Sequence, residues 1–300
     1  MKRILITCII IILIPFFITK NFKKVEQIQY TYVSNQIIKV KNENTGKITE
    51  VPFEKYIIGV VSGEMPCSFE KEALKAQAVA SRSYALYHMN GKEYDVTNTT
   101  TNQVYLTDDE LKTKWQNKYE ENYKIIEKAV IQTKGEYLTY NGEIVNAMFF
   151  STSTGKTENS EEVFVSKVPY LRSVESSWDE SSPAYTDIQK INISDFYEKL
   201  NLPYNEKLKI EITERTSTGR VKMLKINNQE MKGRDVATKL NLRSNYFEMV
   251  KNENTITITT KGYGHGVGMS QYGANGMAKE GYNYKEILKH YYLGTEIKKL

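Results

Sequence analysis

The chain has 300 residues, enough to bury a core in one large domain or two small ones, and it contains no repeats or low-complexity tracts. Its net charge of +5 resides in Lys2, Arg3, Lys20, Lys23 and Lys24, because residues 1–24 hold no acid; the other 36 Lys and Arg balance 36 Asp and Glu. A neutral body offers no electrostatic footprint for a phosphate backbone, which argues against nucleic acid as a partner. After Met1-Lys2-Arg3 comes an apolar run from Ile4 to Thr19 with no small-residue cleavage pattern, so residues 1–27 read as an uncleaved N-terminal membrane anchor and short linker. The run reaches about 24 Å as a helix, short of a roughly 30 Å hydrocarbon layer, and snorkelling lysines would make up the difference. Lys20, Lys23 and Lys24 blunt the positive-inside signal, yet the expected arrangement is a single-pass anchor with the body outside the cytoplasm. Beyond the run Cys67 is the single cysteine, which leaves no disulfide framework.

From Ile28 to Val51 the alternation predicts a hairpin turning at Asn42 to Gly46. Phe53, Tyr56, Ile57, Val60 and Val61 then recur at helical spacing on one face that stops at Gly63. A second helix is expected from Ser68 as N-cap to about Asn90-Gly91, with Ala73, Ala76, Gln77, Ala80, Tyr84 and Tyr87 as its stripe. A third is expected over Lys114 to Lys134. Asn141-Gly142 marks a hairpin between Glu136–Tyr140 and Ile144–Ser151. Residues 185–250 read as an inserted smaller α/β subdomain, with strands at Leu208–Glu214 and Arg220–Ile226 and a helix at Gly233–Leu242. The main body comprises 28–184 plus 251–300, re-entered through a strand at Thr255–Thr260. Helices mixed with antiparallel hairpins, without a β-α-β rhythm, make the class α+β.

Four features could carry chemistry. Glu64 sits between a helix-ending Gly63 and Met65-Pro66, a short stiff turn. Phe149-Phe150 runs into Ser151-Thr152-Ser153-Thr154-Gly155, whose hydroxyls and amides suit a polyhydroxylated ligand or a plain strand exit; the spacing is not that of a phosphate-binding loop. The glycines of Gly262 to Ala274 imply close backbone approach, to a ligand or to another strand, and His265 among them could be a base, a ligand donor or a packed structural residue. Cys67 would need a histidine brought to it in space to act as a nucleophile. No two Cys or His lie at metal-ligand spacing.

The segments Gly59–Pro66, Glu72–Ala85, Phe150–Thr157, Pro169–Val174 and Gly262–Ala274, in that order, resemble the blocks of the stage II sporulation protein D family, membrane-anchored lytic transglycosylases of endospore formers. The resemblance implies that Glu64 is the catalytic acid/base and that Arg82, Tyr170 and Arg172 take the positions of further residues needed for glycan cleavage. It also implies that Ser151, Thr152, Ser153, His265, Gln271 and Tyr272 line the saccharide site. The partners implied are peptidoglycan strands freed of stem peptides and other wall-degrading sporulation proteins, in engulfment. Some members hold zinc through Cys and His in the segment matching Asp95–Val104; that segment has neither here, so no metal and no cofactor is expected. One carboxyl suffices for such an enzyme, because the sugar's own 6-hydroxyl replaces water as the attacking group, whereas hydrolytic glycosidases usually use two. Two alternatives remain open: a non-catalytic wall-binding activator of an amidase, and a Cys-His wall peptidase.

Overall fold

The computed structural model describes residues 36–89 and 91–300. The expected anchor, its orientation and the start of the first hairpin lie outside the described residues. Among the described residues, no helix is long and apolar enough to cross a membrane.

The predicted hairpin pairs Ile37–Lys41 with Ile48–Pro52 in antiparallel register, and Val96–Thr97 adds to it in parallel. The chain then enters the helix Phe53–Glu64, whose predicted apolar face (Phe53, Tyr56, Ile57, Val60 and Val61) is wholly buried. It packs on the helix Lys71–His88, where Ala73, Ala76 and Ala80 present small side chains and let neighbouring backbone come close. Tyr119–Gln132 closes this layer. A three-stranded sheet lies against it, with Glu136–Tyr140 between Glu296–Lys299 and Glu143–Ile144. Each large apolar side chain buried here stabilises the fold by about 1.5–3 kcal/mol relative to exposure.

A second core gathers Ile193, Phe196, Tyr197 and Leu200 from the helix Ile193–Leu200 with Val221, Leu224, Ile226, Val236 and Phe247. It also takes Ile256 and Ile258 from the strand Thr255–Lys261. That strand is central in its sheet, between Phe247–Asn252 and Thr186–Asn192. Its alternate residues therefore pack the second core while its end leads back to the first.

Several predicted boundaries move for identifiable reasons. The second helix starts at Lys71 rather than at Ser68, because Pro66–Phe69 forms a turn in which the Phe69 amide donates to the Pro66 carbonyl; the Glu70 amide is then taken by Asn275 Oδ1 at 2.8 Å. The expected third helix is two helices, Asp108–Trp115 and Tyr119–Gln132, broken where Gln116 adopts φ 49°. The first begins on a reciprocal capping box between Thr107 and Glu110 that the apolar pattern did not reveal. The Asn141-Gly142 turn is present with both residues at positive φ, but its second strand ends at Ile144, and Phe149–Phe150 instead pairs in parallel with Met269–Ser270. The glycine-rich segment becomes a helix, Gln271–Lys279, in its second half.

Candidate active site around Glu64

Glu64 is the last residue of its helix. Pro66 disfavours helical geometry at Met65, which is extended (φ −120°, ψ 144°), so the helix stops there. The side chain is partly buried and held from two sides. Its Oε1 accepts the backbone amide of Val104 at 2.7 Å, and its Oε2 accepts from Gln271 Nε2 at 3.3 Å. Burial pushes the carboxyl above the usual carboxylate range, against the lowering effects of these two hydrogen bonds and the nearby Lys114 ammonium. Among the described residues, no other carboxylate is among the groups that act on it.

The sequence explains how Val104 reaches it. Gly59 and Gly63, one turn apart, leave a bare strip on the helix, and the segment 104–106 lies in it. A Cβ on Gly63 would stand 2.4 Å from the Val104 carbonyl oxygen, and one on Gly59 would stand 2.5 Å from the Tyr105 ring. The segment is fixed further by its own amides. Asn102 accepts from the Thr97 amide at 2.9 Å and donates to the Tyr84 hydroxyl at 3.1 Å, while Gln103 donates to the Tyr56 hydroxyl at 3.2 Å.

Gln271 arrives from the far end of the chain. Its helix is capped by Ser270, whose Oγ accepts the Gly273 amide at 3.2 Å. Ser270 in turn donates to Asp179, a buried carboxylate that also receives the Ser153 amide (2.9 Å), the Ser153 hydroxyl (2.8 Å) and the Ser176 hydroxyl (2.6 Å). Gly273 is obligatory at this junction, because a Cβ there would stand 2.1 Å from the Tyr291 hydroxyl. Asp179 thus ties the hydroxyl block to the helix that carries Gln271.

The structure places much of that block inside the fold. Thr152 and Ser153 are completely buried and hydrogen-bond Ser182 and Asp179; Ser151 is partly exposed, and its carbonyl accepts the Tyr272 amide at 3.1 Å. Arg82 likewise lies inside the fold. It is 0% exposed and clamps Glu54 through Nε at 3.0 Å and Nη2 at 2.9 Å, while Nη1 donates to the Glu136 carbonyl at 2.7 Å. Arg172 forms a two-pronged pair with Glu161, and the Tyr170 hydroxyl accepts the Asn146 amide at 3.0 Å; neither contacts Glu64. Tyr272 is partly exposed, its ring edge-on to Phe69 at 4.9 Å.

His265 is pinned by Val267, whose amide donates to its Nδ1 at 3.0 Å. Burial, reinforced by Arg220, pushes its imidazole down to about 4 and leaves it uncharged near neutrality. The glycines beside it serve close packing: Gly266 (φ +87°) would bring a Cβ to 2.6 Å from Arg220 Nη2, and Gly268 (φ +81°) would bring one to 2.0 Å from the Met148 carbonyl oxygen. His265 also borders a cleft of about 700 Å³ shared with Arg234, Arg243 and Asn245, which does not include Glu64. Among the described residues, no histidine hydrogen-bonds Cys67, and no three His, Cys, Asp or Glu side chains converge as a metal site.

Comparison with known proteins agrees with this arrangement of blocks. The family described as "Stage II sporulation protein" matches residues 41–140. Stage II sporulation protein D of Bacillus subtilis (strain 168) is 43% identical, over 92% of this chain and 82% of its own length. The chain belongs to the stage II sporulation protein D family. The Bacillus amyloliquefaciens protein of the same name is also 43% identical, over 87% of this chain and 78% of its own. A more distant relative, the amidase enhancer of B. subtilis, is 32% identical over 80% of this chain but only 40% of its own length. Asp179 and Glu54 carry no local signal in the sequence, since each is matched to partners remote along the chain. Gly59 and Gly63 at one-turn spacing were the one readable trace of the segment that positions Glu64.

Proposed function

We infer that this protein is a lytic transglycosylase of the cell-wall glycan, with Glu64 as its single acid/base. The observation that carries the reading is a partly buried carboxyl with raised proton affinity, fixed by a backbone amide, with no second carboxylate among the described residues acting on it. Both oxygens accept a hydrogen bond, Oε1 the shorter one from the Val104 amide at 2.7 Å and Oε2 the longer one from Gln271 at 3.3 Å, so the proton is assigned to the less strongly held Oε2. Donation from Oε2 to the glycosidic oxygen breaks the bond to C1. The sugar's 6-hydroxyl oxygen then bonds to C1 and passes its proton to the carboxylate, which restores the acid. The products are a 1,6-anhydro end and a free 4-hydroxyl, with no water consumed. Positioned proton transfer of this kind contributes about 10² to 10⁴-fold to rate.

The test is Glu64→Gln incubated with peptide-free and peptide-bearing strands, with products weighed by mass spectrometry. The variant should bind strands but release no anhydro-muramoyl ends. Unchanged products from the variant would sink the assignment. The relative named amidase enhancer favours a second reading, a non-catalytic activator of an amidase. On that reading Glu64→Gln would stimulate an added amidase as well as the unaltered protein does, and neither would form anhydro ends.

A further inference from the structure

Asp179 is a buried charge with no place in the proton transfers at Glu64. It lies in the short helical turn Ser177–Ser181, is 0% exposed, and belongs to no ion pair among the described residues. Its donors are all neutral: the Ser153 amide and hydroxyl, the Ser176 hydroxyl and the Ser270 hydroxyl. Burial pushes its carboxyl up and these hydrogen bonds hold it down. Burying a carboxylate without a counter-ion is unfavourable, and a neutral side chain of similar shape would pack there with a smaller penalty. The position of the carboxylate explains the charge. A Cβ on Gly273 would stand 2.7 Å from its Oδ2, so it rests against the first turn of the helix Gln271–Lys279, whose positive end favours an anion. It also binds Ser270, the N-cap of that helix, and Ser176, whose hydroxyl meets the Tyr291 hydroxyl at 2.7 Å.

Directly after that cap comes Gln271, whose Nε2 donates to Glu64 Oε2 at 3.3 Å. The other hold on Glu64, the Val104 amide, comes from a segment that Asp179 does not touch. The two oxygens are thus fixed by separate parts of the chain, and the hold on Oε2 depends on where this one helix begins. We propose that Asp179 is a positioning residue for cleavage: through Ser270 it fixes the start of the helix Gln271–Lys279, and so keeps Gln271 on Oε2 of Glu64. Fully buried, it acts only through that helix. The proposal rests on the reading of Glu64 as the acid/base. The direction of one effect separates this role from others. Gln271 lowers the proton affinity of Glu64, as do the Val104 amide and the Lys114 ammonium, and the hydroxyls of Tyr56 and Tyr84 also face the carboxyl. Release of Gln271 would therefore raise that affinity and carry the alkaline limit of cleavage to higher pH. Loss of a negative charge acting directly on Glu64 would carry it to lower pH, and loosening of the fold alone would leave it in place.

The experiment uses the full-length protein with two readouts: cleavage of peptide-free strands against pH, and an isotope-labelled carboxyl NMR titration of Glu64, whose signal is identified by its absence from Glu64→Gln. Asp179→Asn should lower kcat about tenfold and move the alkaline limb to higher pH, and Gln271→Met should do the same. Added to Gln271→Met, Asp179→Asn should move the limb no further, since the link is already gone. Ser270→Ala removes only the link and should give the same shift, which keeps the test open if Asp179→Asn does not fold. An alkaline limb that stays in place or moves to lower pH in Ser270→Ala, or full additivity of Asp179→Asn with Gln271→Met, would overturn the proposal. If the unaltered protein forms no anhydro ends, the acid/base reading fails by itself. The NMR titration then decides the role of Asp179 independently: the Glu64 carboxyl must titrate at higher pH in Ser270→Ala than in the unaltered protein, and an unmoved titration refutes the link.

Discussion

Replacement of Arg82 by methionine separates a structural role from a substrate-binding one. In the folded protein its guanidinium meets both oxygens of Glu54 and the Glu136 carbonyl, with no exposed surface. Arg82→Met would strand Glu54, itself buried, with the Gly135 amide at 3.1 Å as its remaining hydrogen bond. Breaking one side of a buried ion pair costs about 3–5 kcal/mol. At about 2–3 °C per kcal/mol for a body of this size, Tm should fall by about 6–15 °C. Circular dichroism of the purified variants against temperature reads this directly. Glu54→Gln combined with Arg82→Met should melt higher than the sum of the two single losses allows, because the pair is then removed together. Cleavage per folded molecule, measured well below Tm, should stay near that of the unaltered protein. If Arg82→Met melted within about 2 °C of the unaltered protein while losing cleavage, the structural assignment would be wrong.

Gly63→Ala should push the Val104 carbonyl away and with it the amide that holds Glu64; overpacking of this sort costs about 1–3 kcal/mol, and kcat should fall more than Tm alone explains. Unaltered kcat would show that the Val104 hydrogen bond is dispensable. Cleavage should decline as pH rises through the raised Glu64 value, because the first step needs the protonated carboxyl. The same shift has a stability consequence of definite sign. A carboxyl whose proton affinity is higher folded than unfolded contributes stability that is complete below its unfolded value and lost as pH rises through the folded one. Glu64→Gln should therefore gain Tm relative to the unaltered protein at alkaline pH and not at acid pH; a constant difference across the range would refute the raised value.

Local physics carried much of the architecture into view. The helical spacing from Phe53 to Val61, the alanine stripe from Ala73 to Ala80, the Asn141-Gly142 turn and the strand at Thr255 each depend on neighbours within about a dozen residues, as periodicity and turn chemistry do. The helix-ending Gly63-Glu64-Met65-Pro66 could be picked out for the same reason: its stiffness is a property of four consecutive residues. What could not be read is what those four residues meet. Gln271, 207 positions away, reaches Glu64 because Asp179 draws together Ser153, Ser176 and Ser270, the last of which caps the helix that carries it. Arg82 and the pair Thr152 and Ser153 belong to recognisable blocks, and yet they are buried, because a charge or a hydroxyl matched inside the fold looks the same in sequence as one that awaits a ligand. The sequence by itself determined the class of the fold and the short stiff turn that carries Glu64. Only tertiary structure decided which polar side chains are spent on holding the protein together, since burial and pairing are properties of the packed chain and not of any segment of it.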